Sequence, residues 1–337
     1  MTVMLERQPL SYDAILDAAD VVSARLERTP LVAHPLLDAA VGAEVLVKHE
    51  HVLPTGAFKV RGGVYLAARL TDEERARGLV TCSTGNHAQS VAYAARLAGV
   101  PATIVMPSSA PEIRREAVRA LGATVIVHGD TLGDASERAR ELGCPEVSRL
   151  GAGAPRTSTT GRFAYVDTTD PRIILGHATA YVELFTSAPD LDVLYVPVGS
   201  GTGAAGACLV RDRIAPSCRV VGVQSSAAPA GWLSWRTGEI QKAPCTTRAA
   251  GLATTTGYPL PQSVLRDRLD DFLLVTDDEI DAAARLLATR ASTLAEGAGA
   301  ASLAGLLSDG DRAAGAKVGV VVTGGNASPD EIARLGR

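Results

Sequence analysis

The sequence predicts an α/β protein built from two doubly wound parallel sheets, and three observations predict it. From Gly78 onward, short apolar runs alternate with helical stretches: "GLVTCS", then 86–98, "ATIVMP", then 111–121, "ATVIVHG", then 131–142. The runs are near-continuous rather than alternating, the pattern of strands covered on both faces. After a stretch rich in Gly, Pro, Ser and Thr over 143–162, the alternation resumes through "FAYVD", "ILGHATAYVELF", "VLYVPVG", a helix from Ala204, "RVVGVQ" and, much later, "KVGVVVTGG". The reading is a large domain formed by 1–60 and 151–337, with a small domain, 61–150, inserted in it.

Taken in order, the segment "SYDAILDAADVVSARLERTP" sets Ile15, Ala18, Ala19, Val22 and Leu26 on one helical stripe that ends by Pro30. A strand, "EVLVKHE", follows. Then comes "VLPTGAFKVRGG", where Pro54 and Gly56 break the strand, Thr55 serves as the N-cap, and Phe58, Val64, Leu66 and Leu70 continue as an apolar helical face. Lys59 sits near the start of that helix, where the macrodipole opposes a cation. Either its ammonium snorkels to water, or it works as a neutral amine or imine, which this position favours.

With 337 residues, 46% of them hydrophobic and 21% charged, the chain has the composition of an ordinary soluble globular protein. A net charge of −4 and the lack of a basic run with interleaved aromatics argue against nucleic acid and anionic membrane as partners. The N-terminus carries no signal-peptide pattern and no segment approaches a membrane span, so a cytoplasmic location is expected. The five cysteines are scattered without a C-x-x-C pair, and reduced thiols are expected of them.

Three further segments carry chemistry. "VPVGSGTGAAG" is a strand, a glycine turn and a helix start, in which backbone N–H groups and the helix terminus converge on an anion. It also satisfies G-x-G-x-x-G, but the acidic residue that a dinucleotide requires at the end of the next strand is missing, since "VVGVQ" ends at Gln224. "CSTGNHAQS" is a second strand, turn and helix, whose first N–H groups suit a carboxylate, with Ser83 and Thr84 hydroxyls assisting; a helix capped by Thr84 or Asn86 is the plain alternative. "VVVTGGNAS" ends a buried strand on Thr323, a hydroxyl available to a ligand.

In this order and at roughly these spacings, "KHEHVLPTGAFKVRGG", "STGNHAQS", "PVGSGTGAAG" and "VTGGN" resemble the second fold type of pyridoxal-phosphate enzymes, whose architecture is that of the tryptophan-synthase β chain. Within it, the chain is most similar to the threonine/serine dehydratase and serine racemase family, from about Ala14 to about Arg334. The resemblance implies that Lys59 holds pyridoxal 5'-phosphate as a Schiff base and then acts as the base at Cα. It places Phe58 against the pyridine ring and gives the cofactor phosphate to Gly199, Ser200, Gly201, Thr202 and Gly203. It also sets Asn86 on the phenolic oxygen and Thr323 at the pyridine nitrogen. Ser83, Thr84, Gly85, Asn86 and His87 clamp the substrate carboxylate. It implies a homodimer or homotetramer acting on a small amino acid.

A hydroxyl opposite the ring nitrogen keeps it poorly protonated, which disfavours transamination and suits loss of a β-hydroxyl. The expected activity is therefore an ammonia-lyase that converts L-threonine, L-serine or a related β-hydroxy amino acid into a 2-oxo acid and ammonia. β-Replacement, racemisation and a non-catalytic binding protein are the alternatives. The chain departs from the family at Ala57, at Thr84 and at Ala250, where serine, serine and aspartate are usual. Gln224, Ala228 and Ala230 stand where metal-dependent members carry acidic ligands, so no metal is expected there. Glu296 matches a family glutamate near the cofactor, or serves only as an acid at a helix start.

Overall fold

The computed structural model describes residues 10–143, 161–310 and 315–336. The chain divides into two units, Met1–Phe58 with Ile174–Arg337, and Lys59–Ile173. Its strands in chain order are β1 (Leu31–Ala33), β2 (Glu44–His49), β3 (Leu79–Cys82), β4 (Ala102–Met106), β5 (Thr124–Val127), β6 (Ala164–Tyr165), β7 (Val193–Pro197), β8 (Arg219–Ser225), β9 (Asp271–Val275) and β10 (Lys317–Val322). The first seven helices are α1 (Tyr12–Ser23), α2 (Pro35–Val41), α3 (Lys59–Ala68), α4 (Asp72–Arg77), α5 (Asn86–Ala98), α6 (Glu112–Ala120) and α7 (Leu132–Gly143). They are followed by α8 (Pro171–Ser187), α9 (Thr202–Ile214), α10 (Ala230–Thr237), α11 (Pro259–Arg268), α12 (Asp277–Arg290), α13 (Gly297–Asp309) and α14 (Pro329–Arg334). Among the described residues no helix is long and apolar enough to cross a membrane.

The first unit holds a six-stranded sheet ordered β1-β2-β10-β7-β8-β9, parallel except for β1, which runs antiparallel to β2. Its strands bury Val45, Val47, Val193, Tyr195, Val221, Val223, Val318 and Val320 against α12 and α13. α13, "GAGAASLAGLLSD", is small and apolar on most of its surface and buried from Gly297 to Leu306, so it lies close under the strands. α1 buries Ile15, Ala18 and Val22, three members of its expected stripe, and ends at Ser23 on its C-cap Ala24.

The second unit holds a four-stranded parallel sheet ordered β5-β4-β3-β6. β4 is buried along its whole length, while the edge strand β5 is half-buried to exposed. β6 corrects the sequence reading, which gave "FAYVD" to the large sheet. Ala164 and Tyr165 pair with Leu79 and Val80 of β3, so the small unit runs on to Ile173 instead of closing at 150. Most of the stretch 143–162 lies outside the described residues, Cys144 with it.

Candidate active site

In an open α/β sheet the ligand loops gather at the carboxyl ends of the strands, where the strand order reverses. In the large sheet the chain passes from β7 outward through β8 to β9, then returns on the other side of β7 as β10. The reversal lies between β7 and β10. The loop leaving β7 is the Gly199–Gly203 turn, and the loop leaving β10 begins at Thr323.

The turn enters α9 through Gly201, its N-cap, at φ 86°, a left-handed conformation that a side chain resists. No side chain caps the helix, so the first N–H groups of α9 have no partner within it. A Cβ on Gly203 would stand 3.2 Å from the Phe58 ring and 3.3 Å from the Tyr181 hydroxyl, and one on Gly199 would collide with the Gly251 carbonyl. Thr202, fully buried, has its hydroxyl 3.1 Å from His177 Nδ1 and 3.4 Å from Ser200 Oγ.

The loop after β10 clasps the segment that leads to Lys59. Phe58 N–H donates to the Thr323 carbonyl at 2.9 Å, Gly325 N–H donates to Gly56 at 2.9 Å, and Asn326 Nδ2 donates to Thr55 at 2.9 Å. Ala57 and Gly324 form an antiparallel bridge. "PTGAF" and "TGGN" are therefore two sides of one clasp, which fixes Phe58 and with it the residue that follows. Thr323 is buried and its hydroxyl donates to Ala298 at 3.4 Å, a long bond that another acceptor can displace.

The second unit has its own reversal. β3 lies between β4 and β6, and the loop leaving β3 is Ser83–Gly85. It enters α5 through Gly85, with no side-chain cap, while Gly85 N–H donates to Ser83 Oγ at 3.1 Å. The plain alternative to a carboxylate site is a cap at Thr84 or Asn86. The structure leaves the helix start open instead, and Asn86 is its first residue.

His87 is buried, and its Nε2 is 3.1 Å from Thr81 Oγ1, whose own proton goes to the Val166 carbonyl at 2.8 Å. Since Thr81 spends its proton on Val166, His87 Nε2 carries the hydrogen and donates, which leaves Nδ1 an acceptor. Burial and the nearby Lys59 charge lower the His87 pKa to about 4.

Lys59 is the first residue of α3, so Thr55 lies too far upstream to be the cap expected of it; its hydroxyl donates to Ala57 at 3.5 Å. The Lys59 carbonyl accepts from Ser90 Oγ of α5 at 2.6 Å. Although the residue keeps some accessible surface, the protein around its amine lowers the ammonium from its ordinary 10.5 to about 8.

Sequence reasoning missed His177 and Tyr181. Both are fully buried, and both approach the Gly199–Gly203 turn, His177 through Thr202 and Tyr181 through Gly203. The His177 ring also lies 4.5 Å from that of Phe58. A signal was present: two polar-tipped side chains four apart, on one face of the otherwise apolar "ILGHATAYVELF". Glu296 is buried as the N-cap residue of α13, its N–H donating to Gly324 at 3.1 Å.

Residues 22–324 match the family described as "Pyridoxal-phosphate dependent enzyme". The chain belongs to the pyridoxal-phosphate dependent enzymes. This pyridoxal-phosphate enzyme is 34% identical to an L-threonine ammonia-lyase of Thermotoga maritima, over 97% of its own length and 78% of the relative's. It is 32% identical to an L-threo-3-hydroxyaspartate ammonia-lyase of Saccharomyces cerevisiae, over 96% of each. Among solved structures it resembles the processed form of threonine deaminase isoform 2 from Solanum lycopersicum, with a TM-score of 0.84 and 26% identity, covering 98% of this chain and 90% of that one.

The residues present fit that cofactor. A helix start without a side-chain cap, entered by a turn in which added Cβ atoms would press on Phe58 and Gly251, is a cradle for a phosphate. The donor set, backbone N–H groups with the Thr202 and Ser200 hydroxyls, suits an acceptor-only anion.

Proposed function

We propose that this pyridoxal-phosphate enzyme is an ammonia-lyase acting on a β-hydroxy amino acid, L-threonine, L-serine or L-threo-3-hydroxyaspartate, with a 2-oxo acid and ammonia as products. The observation that carries the reading is Lys59, held at the first position of α3 by the clasp on Phe58, with an amine that burial makes neutral in part near pH 8.

When bound, the cofactor supplies an electron sink conjugated to the substrate Cα. Lys59 would hold it, and the Lys59 amine would take the Cα proton. The Gly199–Gly203 turn would receive the phosphate, Phe58 would back the ring, and Asn86 would donate to the phenolic oxygen. The N–H groups at the start of α5, with Ser83, Thr84 and Gly85, hold the substrate carboxylate and so orient the Cα–H bond. Neutral His87 adds no charge there, and its bond to Thr81 fixes its ring. Thr323 would offer a hydroxyl and no carboxylate to the ring nitrogen, which would favour prompt departure of the β-hydroxyl over slower chemistry. The relatives named for ammonia-lyase activity support the same choice.

The chain is proposed to work as a cytoplasmic homodimer or homotetramer. The four described cysteines stand as free thiols, as in a reducing compartment.

The test incubates the purified chain and pyridoxal phosphate separately with the three amino acids and follows 2-oxo acid, ammonia and the enantiomer of the remaining substrate. The expected outcome is 2-oxo acid and ammonia in equal amounts, with Lys59→Ala at least about a hundredfold slower. D-amino acid without 2-oxo acid would replace the reading with racemisation. Turnover that needs an added nucleophile would replace it with β-replacement.

A further inference from the structure

We propose that His177 is a positioning residue for the cofactor phosphate, acting through the Thr202 hydroxyl. The inference rests on the reading of Gly199–Gly203 as the phosphate cradle. A phosphate monoester dianion only accepts hydrogen bonds, so a hydroxyl that binds it must aim its proton at the phosphate. Thr202 is the first residue of α9 and fully buried, and a freely rotating hydroxyl there could equally give its proton to a protein acceptor.

His177 Nδ1, 3.1 Å from Thr202 Oγ1, decides the direction. With the hydrogen on Nδ1, the imidazole donates to the threonine oxygen and leaves the threonine proton for the anion. With the hydrogen on Nε2 alone, Nδ1 would draw that proton away. The geometry therefore assigns the Nδ1–H form to His177 when the phosphate is bound. The ring is held for this role by full burial and by Phe58, 4.5 Å away at 43°. Phe58 is in turn anchored on Thr323 and borders the space above Gly203. One imidazole thus joins α8, the phosphate turn and the segment that positions Lys59.

The test compares His177→Leu, which keeps bulk and removes the donor, with His177→Asn, whose amide can place a donor near the Nδ1 position, and with Thr202→Val and the double variant His177→Leu/Thr202→Val. Each full chain is stripped of cofactor and titrated with pyridoxal phosphate and, separately, with pyridoxal, which lacks the phosphate. The 31P resonance of bound cofactor is a second readout. His177→Leu and Thr202→Val are each expected to weaken pyridoxal phosphate binding about tenfold or more, to leave pyridoxal binding within about twofold, and to move the 31P resonance. The double variant is expected to bind no worse than the weaker single one, because both remove the same interaction. His177→Asn is expected to recover most of the lost affinity.

Equal loss of pyridoxal and pyridoxal phosphate binding, or additive losses in the double variant, would make His177 a packing residue and overturn the proposal. So would an unchanged 31P resonance in His177→Leu. If the leucine variant does not fold, Thr202→Val against His177→Asn decides: the resonance must move in the first and stay in the second. A wild-type chain that binds no pyridoxal phosphate would instead sink the reading of the cradle itself.

Discussion

Lys59 and His87 show how burial sets the protonation of single residues here, and the consequence is measurable as a pH dependence of stability. In the cofactor-free chain the folded state releases the Lys59 proton at about 8 and the unfolded state near the ordinary 10.5. Between those values the unfolded chain binds the extra proton, so this group's contribution is complete above 10.5 and is lost as pH falls through 8. Cys82, Cys208 and Cys218 act in the opposite sense. Burial pushes their thiols up to about 12, so their contribution is lost as pH rises from about 9 towards 12. Comparison of cofactor-free wild type with Lys59→Met cancels the thiols. Urea midpoints at pH 7.5, 8.5 and 9.5 should move in favour of the wild type as pH rises, and a constant difference would mean that the amine is not desolvated. On the acid side, His87 and His49 both titrate at about 4 in the folded chain. Their contribution is present above 6.5 and is lost as pH falls through 4, a loss that His87→Gln should reduce.

At the scale of elements, the glycines of "GSGTGAAG" illustrate how much a motif conceals. Read as a string, Gly201, Gly203 and Gly206 spell G-x-G-x-x-G. In the structure their roles are separate, since Gly201 turns the chain, Gly203 leaves room beside Phe58, and Gly206 lets α9 approach α8. A Cβ on Gly206 would stand 2.8 Å from Ala178 Cα, a backbone atom with no freedom to retreat. Gly206→Ala should therefore cost about 1–3 kcal/mol in urea unfolding, and because α9 carries the turn, pyridoxal phosphate affinity should fall with it. An alanine variant as stable as wild type would show that the two helices can part freely. The turn and the helix start were legible because their signals are local. Ala178 was not, because it lies in another helix. β6 was misassigned for the same reason: the apolar run "FAYVD" marks a strand, but only its pairing with β3 tells which sheet receives it. The clasp of "PTGAF" on "TGGN" joins distant segments through backbone groups, which leave no trace in residue type.

For the whole molecule, both units share one design, a mainly parallel sheet whose strand order reverses once, with Ser83–Gly85, Gly199–Gly203 and Thr323 in the loops at the reversals. The doubly wound class was readable from strand and helix alternation, and with it the rule that ligand loops lie at strand carboxyl ends. The strand orders were not readable, so the placing of β10 beside β7 waited for the structure. If the Gly199–Gly203 turn receives a cofactor, only the folded chain assembles that turn, and binding must stabilise the folded chain by mass action. Pyridoxal phosphate at a hundredfold excess over its dissociation constant should add about 2.7 kcal/mol to the unfolding free energy, and the melting temperature should climb with cofactor concentration. Lys59→Ala should keep part of that rise, because the Gly199–Gly203 turn is intact, and pyridoxal should give the wild type less of it. A melting temperature indifferent to pyridoxal phosphate would mean that the folded chain does not bind it, and would sink the reading of the Gly199–Gly203 turn as its phosphate site.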